Sequence, residues 1–318
     1  MILSRSALKA GLFAAFLTLI GCGGSGSEDT VTRVATPPLG SFAQIDGKQV
    51  HYTDTGRGPA VVLLHGASGN LRDMTFELAD RLDDRYRVLA FDRPGLGFSD
   101  ALNPRGESPQ EQARHMAKVL DSLNIRRAII LGHSYGGSVA MAWALERPDQ
   151  VAGVVSLAGA TMPWPGGLGP WYSIAGSRIG GATVVPLLVN SVDVSDADSI
   201  GARLFRPNAL PSGYIDYVGV DLALNTDSIR QNARQINRLK RNLEVMSEAY
   251  PTVTVPVEVL HGSADGTVPA AVHAQPMAQL LPNAELTLLP GIGHMPHHAA
   301  TDDVVRAVDR VARRAGLR

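Results

Sequence analysis

One serine in this chain sits where it can do covalent chemistry. Residues 128–137 read Ala-Ile-Ile-Leu-Gly-His-Ser-Tyr-Gly-Gly, so a short apolar run ends in Gly-x-Ser-x-Gly around Ser134. The small residues Gly137-Ser138-Val139-Ala140-Met141-Ala142 follow. Strand, sharp turn and helix in that order make a nucleophile elbow, a corner that lifts the serine hydroxyl above a sheet edge. Gly132 and Gly136 are the small neighbours that let strand and helix approach. The turn also places the Tyr135 N–H at a helix N-terminus, where it faces any oxyanion forming at the serine.

The rest of the chain must supply elements that hold this corner. Its 318 residues allow one large α/β domain or two small ones. A hydrophobic share of 45% and a charged share of 19% give an ordinary globular balance, and the net charge of −1 offers nothing to nucleic acid. The single cysteine, Cys22, excludes an intrachain disulfide and a cysteine metal cluster.

Residues 1–21 read as a signal peptide: Arg5 and Lys9 precede an apolar run from Ala10 to Ile20 that is short for a membrane span. Leu19-Ile20-Gly21-Cys22 resembles the lipobox of bacterial lipoproteins, in which the cysteine is acylated and becomes the new N-terminus. The expectation is an exported protein, lipid-anchored through Cys22 to a bacterial membrane and facing the periplasm or the outside. Residues 22–40, with Gly-Gly-Ser-Gly-Ser at 23–27 and Pro-Pro at 37–38, read as a flexible tether.

Beyond the tether, Asp46-Gly47 between two alternating runs predicts a hairpin over Phe42–Thr53. Apolar strands are expected at 60–65, 87–91, 128–133, 151–158, 255–261 and 284–289. Helices are expected at Met74–Leu82, from Ser108-Pro109-Gln110-Glu111 to about Leu123, after the elbow, and at Pro269–Leu280 and Thr301–Ala315. The alternation predicts a mostly parallel central sheet with helices on both faces, and it divides into core segments at 41–160 and 253–318. Residues 161–252 show no strand alternating with a helix and read as a helical cap inserted over the sheet edge.

Taken together, the motifs resemble the α/β-hydrolase fold family in its capped form, over about Phe42 to Gly316. They are His65-Gly66, Asp92-Arg93-Pro94-Gly95-x-Gly97-x-Ser99, Gly132-x-Ser134-x-Gly136, Gly262-x-x-Asp265-x-x-x-Pro269 and Gly293-His294. The resemblance implies Ser134 as nucleophile, His294 as base and Asp265 as the acid that orients it, in the family's order. It places the oxyanion-hole donors on the backbone of Ala67 and Tyr135. Related members with an aspartate nucleophile transfer alkyl groups, so a serine implies acyl chemistry: an ester or related small substrate, an acyl-enzyme, then water. Cleavage of C–C bonds, lactones or amides, and peracid formation, use the same triad. No cofactor is implied.

The Asp92-Arg93 pair reads as a loop brace rather than a substrate clamp, with His65 supporting the same loop. His51, His115, His261 and His273 receive no role. A metal site at His294, His297 and His298 is disfavoured because no acidic or cysteine ligand lies near them in sequence. In the cap, Trp164, Trp171 and Tyr172 are the candidate substrate-binding residues, with Ile174, Leu187, Leu188, Leu204 and Phe205 as further apolar lining; each also fits the cap's own core.

Overall fold

The computed structural model describes residues 35–191 and 197–318. The expected signal peptide, Cys22 and the first part of the tether lie outside the described residues.

Ser41–Ile45 (β1) and Lys48–Gly56 (β2) form the expected antiparallel hairpin, and Asp46 and Gly47 both turn with positive φ, 52° and 73°. Ala60–Leu64 (β3) is buried on both sides: Val62 and Leu64 enter one core, Val61 and Leu63 the other. Then come Arg72–Thr75 (α1), Arg87–Phe91 (β4), Pro109–Ser122 (α2), Ala128–His133 (β5), Tyr135–Glu146 (α3) and Val151–Leu157 (β6). Ser108 closes a full capping box with Glu111 at the start of α2, with Pro109 at the first helical position, as the sequence predicts.

The described part of 161–252 is helical: Pro170–Gly176 (α4), Arg178–Ser191 (α5), Ala197–Phe205 (α6), Tyr214–Val218 (α7), Val220–Ala223 (α8) and the long Thr226–Ala249 (α9). Val257–Gly262 (β7), Ala274–Leu280 (α10), Ala284–Leu289 (β8), Pro296–Ala299 (α11) and Thr301–Arg314 (α12) complete the chain. The eight strands form one sheet in the order β1-β2-β4-β3-β5-β6-β7-β8, and every pairing from β4 to β8 is parallel. One face carries α2, α3 and α10 together with α4, α5 and α9 of the cap; the other carries α12 and the segment around and after α1, while Phe205 of α6 and Tyr214 of α7 form a separate cluster with Met295.

Three expectations change. The helix expected at Met74–Leu82 is a single turn, α1. Beyond it the backbone bonds mix spacings, with Ala79 N–H donating to Met74 and Leu82 N–H donating to Ala79, so no regular helix propagates, although Met74, Leu78 and Leu82 are buried as their period implied. The helix expected from Pro269 starts at Ala274, after turns in which both Val272 and His273 donate to the Pro269 carbonyl. The tether ends early. Thr36 donates from its N–H (3.0 Å) and hydroxyl (2.5 Å) to Asp221 in α8, and Arg72 donates to the Pro37 carbonyl at 2.6 Å.

Candidate active site

β5 runs straight into the elbow. Ser134 has φ 52° and ψ −116°, a strained conformation for a residue with a side chain. Both neighbouring segments hold it there. Ser134 N–H donates to Leu157 O at 2.9 Å, and the Ser134 carbonyl accepts from Gly137 and Ala160 N–H, each at 3.0 Å. A Cβ on Gly132 would collide with the Gly136 carbonyl, and one on Gly136 with the Leu64 carbonyl, so the motif's glycines are sterically required. Tyr135 opens α3, as the sequence predicts.

The three residues expected to act together do meet, beyond the carboxyl ends of β5, β7 and β8. His294 Nε2 lies 3.0 Å from Ser134 Oγ, and His294 Nδ1 lies 2.8 Å from Asp265 Oδ2. The carboxylate fixes the tautomer: Nδ1–H donates to it, leaving the Nε2 lone pair for the serine proton. Asp265 Oδ1 accepts from Thr267 and Val268 N–H at 2.8 and 2.9 Å, which locks the carboxylate plane. Burial pushes the Asp265 carboxyl up, but hydrogen bonds from His261, His294 and Val268, with the His294 charge, outweigh it and hold the group far below the ordinary carboxylate range. All three residues are buried.

His261 acquires a part that the sequence did not disclose. Its Nε2 lies 3.2 Å from Asp265 Oδ2 and 2.6 Å from Val268 O. Both partners are acceptors, so Nε2 carries the proton and braces the acid. Only the position of His261 at the end of the strand before Asp265 could have signalled this.

Ala67 lies on the loop after β3, next to Gly66. A Cβ on Gly66 would stand 3.2 Å from Ser134 Cβ, so glycine is what brings this loop against the serine. Next to Ala67, Ser68 has φ 57° and is pinned by the cap. Its N–H donates to Asn232 Oδ1 at 2.9 Å, and Asn232 Nδ2 donates to Ser68 Oγ at 2.8 Å. Asn232 on α9 is a second residue missed from sequence, because its partner lies 164 positions away.

The brace reading of Asp92 and Arg93 matches the structure. Arg93 donates to the His65 and Gly66 carbonyls at 2.9 and 2.8 Å and to Gln112 and Gln235, and its N–H donates to His65 Nε2 at 3.0 Å. Gln235 passes the contact on to the buried Glu107 at 2.7 Å. Burial lowers the Arg93 guanidinium to about 10, which still leaves it charged at neutral pH. Asp92 takes His51 Nδ1 at 2.7 Å and the N–H groups of Leu71 and Phe98, so His51 too is structural.

Among the cap candidates, Tyr172 is buried in the main core and Trp164 and Trp171 pack against it, Trp164 with its ring 6.2 Å from that of His273. Phe205 packs with Tyr214 and Met295, with Leu204 alongside. Ile174 and Leu187 are 41% and 72% exposed, so they line no enclosed pocket. The reason for disfavouring metal at the histidine run fails in three dimensions: Asp73, on α1, lies against His297 and His298.

Comparison with known proteins agrees with this fold. The model of the alpha/beta hydrolase family matches residues 61–307. An uncharacterized protein of Mycobacterium tuberculosis is 28% identical over 293 residues, covering 88% of this chain and 82% of its own. A 2-hydroxy-6-oxononadienedioate/2-hydroxy-6-oxononatrienedioate hydrolase of Paraburkholderia phymatum is 28% identical over 278 residues, covering 84% and 92%. Among solved structures, an esterase from a Rhodococcus species superposes with a TM-score of 0.67 at 23% identity, covering 85% of this chain and 96% of its own. With a family match across most of its length, the chain belongs to the alpha/beta hydrolase family.

Proposed function

We propose that this hydrolase cleaves carboxylic esters, or closely related acyl compounds, through a covalent acyl-serine. One observation carries the reading: a single imidazole, His294, reaches Ser134 Oγ at 3.0 Å with one nitrogen and Asp265 at 2.8 Å with the other. In the proposed cycle Ser134 Oγ attacks the substrate carbonyl as His294 takes its proton. The oxyanion lies against the N–H groups of Ala67 and Tyr135, each worth roughly 3–4 kcal/mol of transition-state stabilisation. His294 then gives the proton to the departing alcohol. Water, deprotonated by the same imidazole, releases the acid. Trp164, Trp171 and Tyr172 are proposed to bound the substrate from the cap side.

Cleavage of an activated C–C bond is the second reading, favoured by the Paraburkholderia relative, which is similar over most of both chains. It uses the same three residues. A fluorophosphonate probe tests the shared part: it should label the protein at Ser134, and Ser134→Ala should abolish labelling. A binding protein on an inherited hydrolase fold would not react. Nitrophenyl esters of graded chain length, run beside a ring-fission product, then separate the two reactions. We also propose that the chain is exported and acylated at Cys22, which suits a substrate met outside the cytoplasm.

A further inference from the structure

Below the elbow lies a group of polar side chains that the acyl chemistry does not use. Asp73 is 5% exposed on α1. His297 Nε2 lies 3.1 Å from its Oδ2, and His298 Nε2 lies 3.0 Å from its Oδ1. The three donor atoms fall within 4.8 Å of one another. Tyr214 of α7 donates to Asp73 Oδ1 at 2.7 Å and fixes the carboxylate from the cap side.

A second observation comes from the other side of the group. His133 Nε2 lies 2.8 Å from the His294 carbonyl, an acceptor, so Nε2 carries the proton and Nδ1 carries a lone pair. That Nδ1 is buried, has no hydrogen-bond partner among the described residues, and lies 3.9 Å from Asp73 Oδ2. A carboxylate and three imidazoles thus converge, with Asp73, His133 and His297 buried and His298 partly buried.

We propose that Asp73, His297 and His298, with His133 Nδ1 as the fourth donor, form a binding site for a divalent transition-metal ion, zinc before others. Two imidazoles and a carboxylate suit zinc. Neighbouring donors of a tetrahedral zinc at bond lengths of about 2.0–2.2 Å stand roughly 3.3 Å apart. From Asp73 Oδ2, His297 Nε2 at 3.1 Å and His133 Nδ1 at 3.9 Å bracket that value, and His298 Nε2 lies 3.0 Å from the other carboxylate oxygen. On binding, the protons of His297 and His298 move from Nε2 to Nδ1, so the imidazoles stay neutral and the ion offsets the carboxylate. All four positions are filled by protein, which makes the ion structural. It would tie α1, the residue before Ser134 and α11 to one point, three residues after the triad histidine. The proposal does not depend on the identity of the substrate.

The test uses untagged full-length protein. It is stripped with a chelator, reloaded with Zn2+ or Co2+, desalted and assayed for metal by mass spectrometry. One ion per chain, a higher Tm on reloading, and the visible d–d bands of four-coordinate Co2+ are expected. His298→Gln should lose stoichiometric metal and the Co2+ bands. Tyr214→Phe, which leaves every donor in place, should weaken zinc binding about 10- to 100-fold. Reloaded wild type that holds no stoichiometric metal and shows no change in Tm would overturn the proposal. The group would then be a carboxylate accepting two imidazole N–H groups and a phenol O–H. Metal retained unchanged in His298→Gln would equally exclude this site.

Discussion

The guanidinium of Arg93 lies 4.4 Å from the centre of the Tyr135 ring, so the cation that holds the loop before Ala67 also rests on the residue after Ser134. Its two hydrogen bonds to the His65 and Gly66 carbonyls fix the distance between the two backbone segments proposed to face the oxyanion. Lysine is too narrow to make these bonds and stack at once. Arg93→Lys should therefore lower kcat by about 10- to 100-fold through misplacement of one donor, with KM nearly unchanged. Chemical denaturation should show a loss of about 3 kcal/mol. A variant with higher KM and intact kcat would instead make Arg93 a substrate-binding group.

Asp265→Asn tests the tautomer. Thr267 and Val268 N–H need an acceptor where Oδ1 now stands, so the amide oxygen would settle there and the NH2 would face His294 Nδ1. An NH2 cannot accept the Nδ1–H, so the proton moves to Nε2 and the lone pair facing Ser134 is lost. The kcat for ester hydrolysis should fall about 10,000-fold, and fluorophosphonate labelling should slow in step. The N–H of His261 would meet the same NH2, so some loss of Tm should accompany the kinetic effect.

The parts that sequence disclosed are those whose physics is local. A Gly-x-Ser-x-Gly corner, a capping box at Ser108 and an Asp46-Gly47 turn are each decided within a few residues. The continuous apolar runs gave the strands because a strand buried on both faces, such as β3, has no polar side to show. Asp265 and His294 were legible through short motifs at strand ends. Asn232, Asp73 and Tyr214 were not: each acts on a partner more than 100 positions away, and an amide or a phenol on a cap helix, or a carboxylate on a single helical turn, carries no local mark. His261 stands at a strand end, where a histidine carries no mark that it braces an acid four residues on. The helix expected at Met74–Leu82 stops after one turn because a buried apolar period of three to four residues fits a chain of irregular turns as well as a helix.

Asn232 gives a test of the cap's part in chemistry. It makes two hydrogen bonds to Ser68, which sits in the left-handed region at φ 57° next to Ala67. Asn232→Ala removes that hold and lets Ser68 relax. Complete loss of one oxyanion donor costs about 100- to 1,000-fold in kcat, so loosening it should cost less, roughly 10-fold. Ser68→Gly, which tolerates the positive φ, should partly restore the rate in the double variant. An Asn232→Ala enzyme with unchanged kcat would show that the loop holds its shape without the cap.

Cys22 carries the localisation proposal. Cys22→Ser in the full chain should move the protein from the membrane fraction to the soluble fraction and prevent labelling by a radioactive fatty acid. The rate of ester hydrolysis per molecule should stay within about twofold, because residues 35–191 and 197–318 contain all the site residues. A variant that is still processed and still takes up the fatty acid, like wild type, would exclude acylation at this cysteine.

Buried histidines set the acid limit of stability. Burial lowers His65 to about 4, helped by the Arg93 charge, and lowers His273 to about 4, helped by His261. In the unfolded chain both titrate near 6.5. Between about pH 6.5 and 4 the unfolded state therefore binds protons that the native state refuses, so stability rises with pH across this window. The contribution is fully present above 6.5 and is lost as pH falls toward 4. Each group adds a slope of about 1.2 kcal/mol per pH unit at mid-window, so the pair gives roughly 2.4. Urea midpoints measured at half-unit steps should fall steeply from pH 6.5 to 4. His273→Gln should remove about half of the slope assigned to this pair, since glutamine does not titrate and can still accept the Met162 N–H that His273 Nδ1 now takes at 3.2 Å. A midpoint that stays level across the window would mean that these imidazoles take up protons without unfolding.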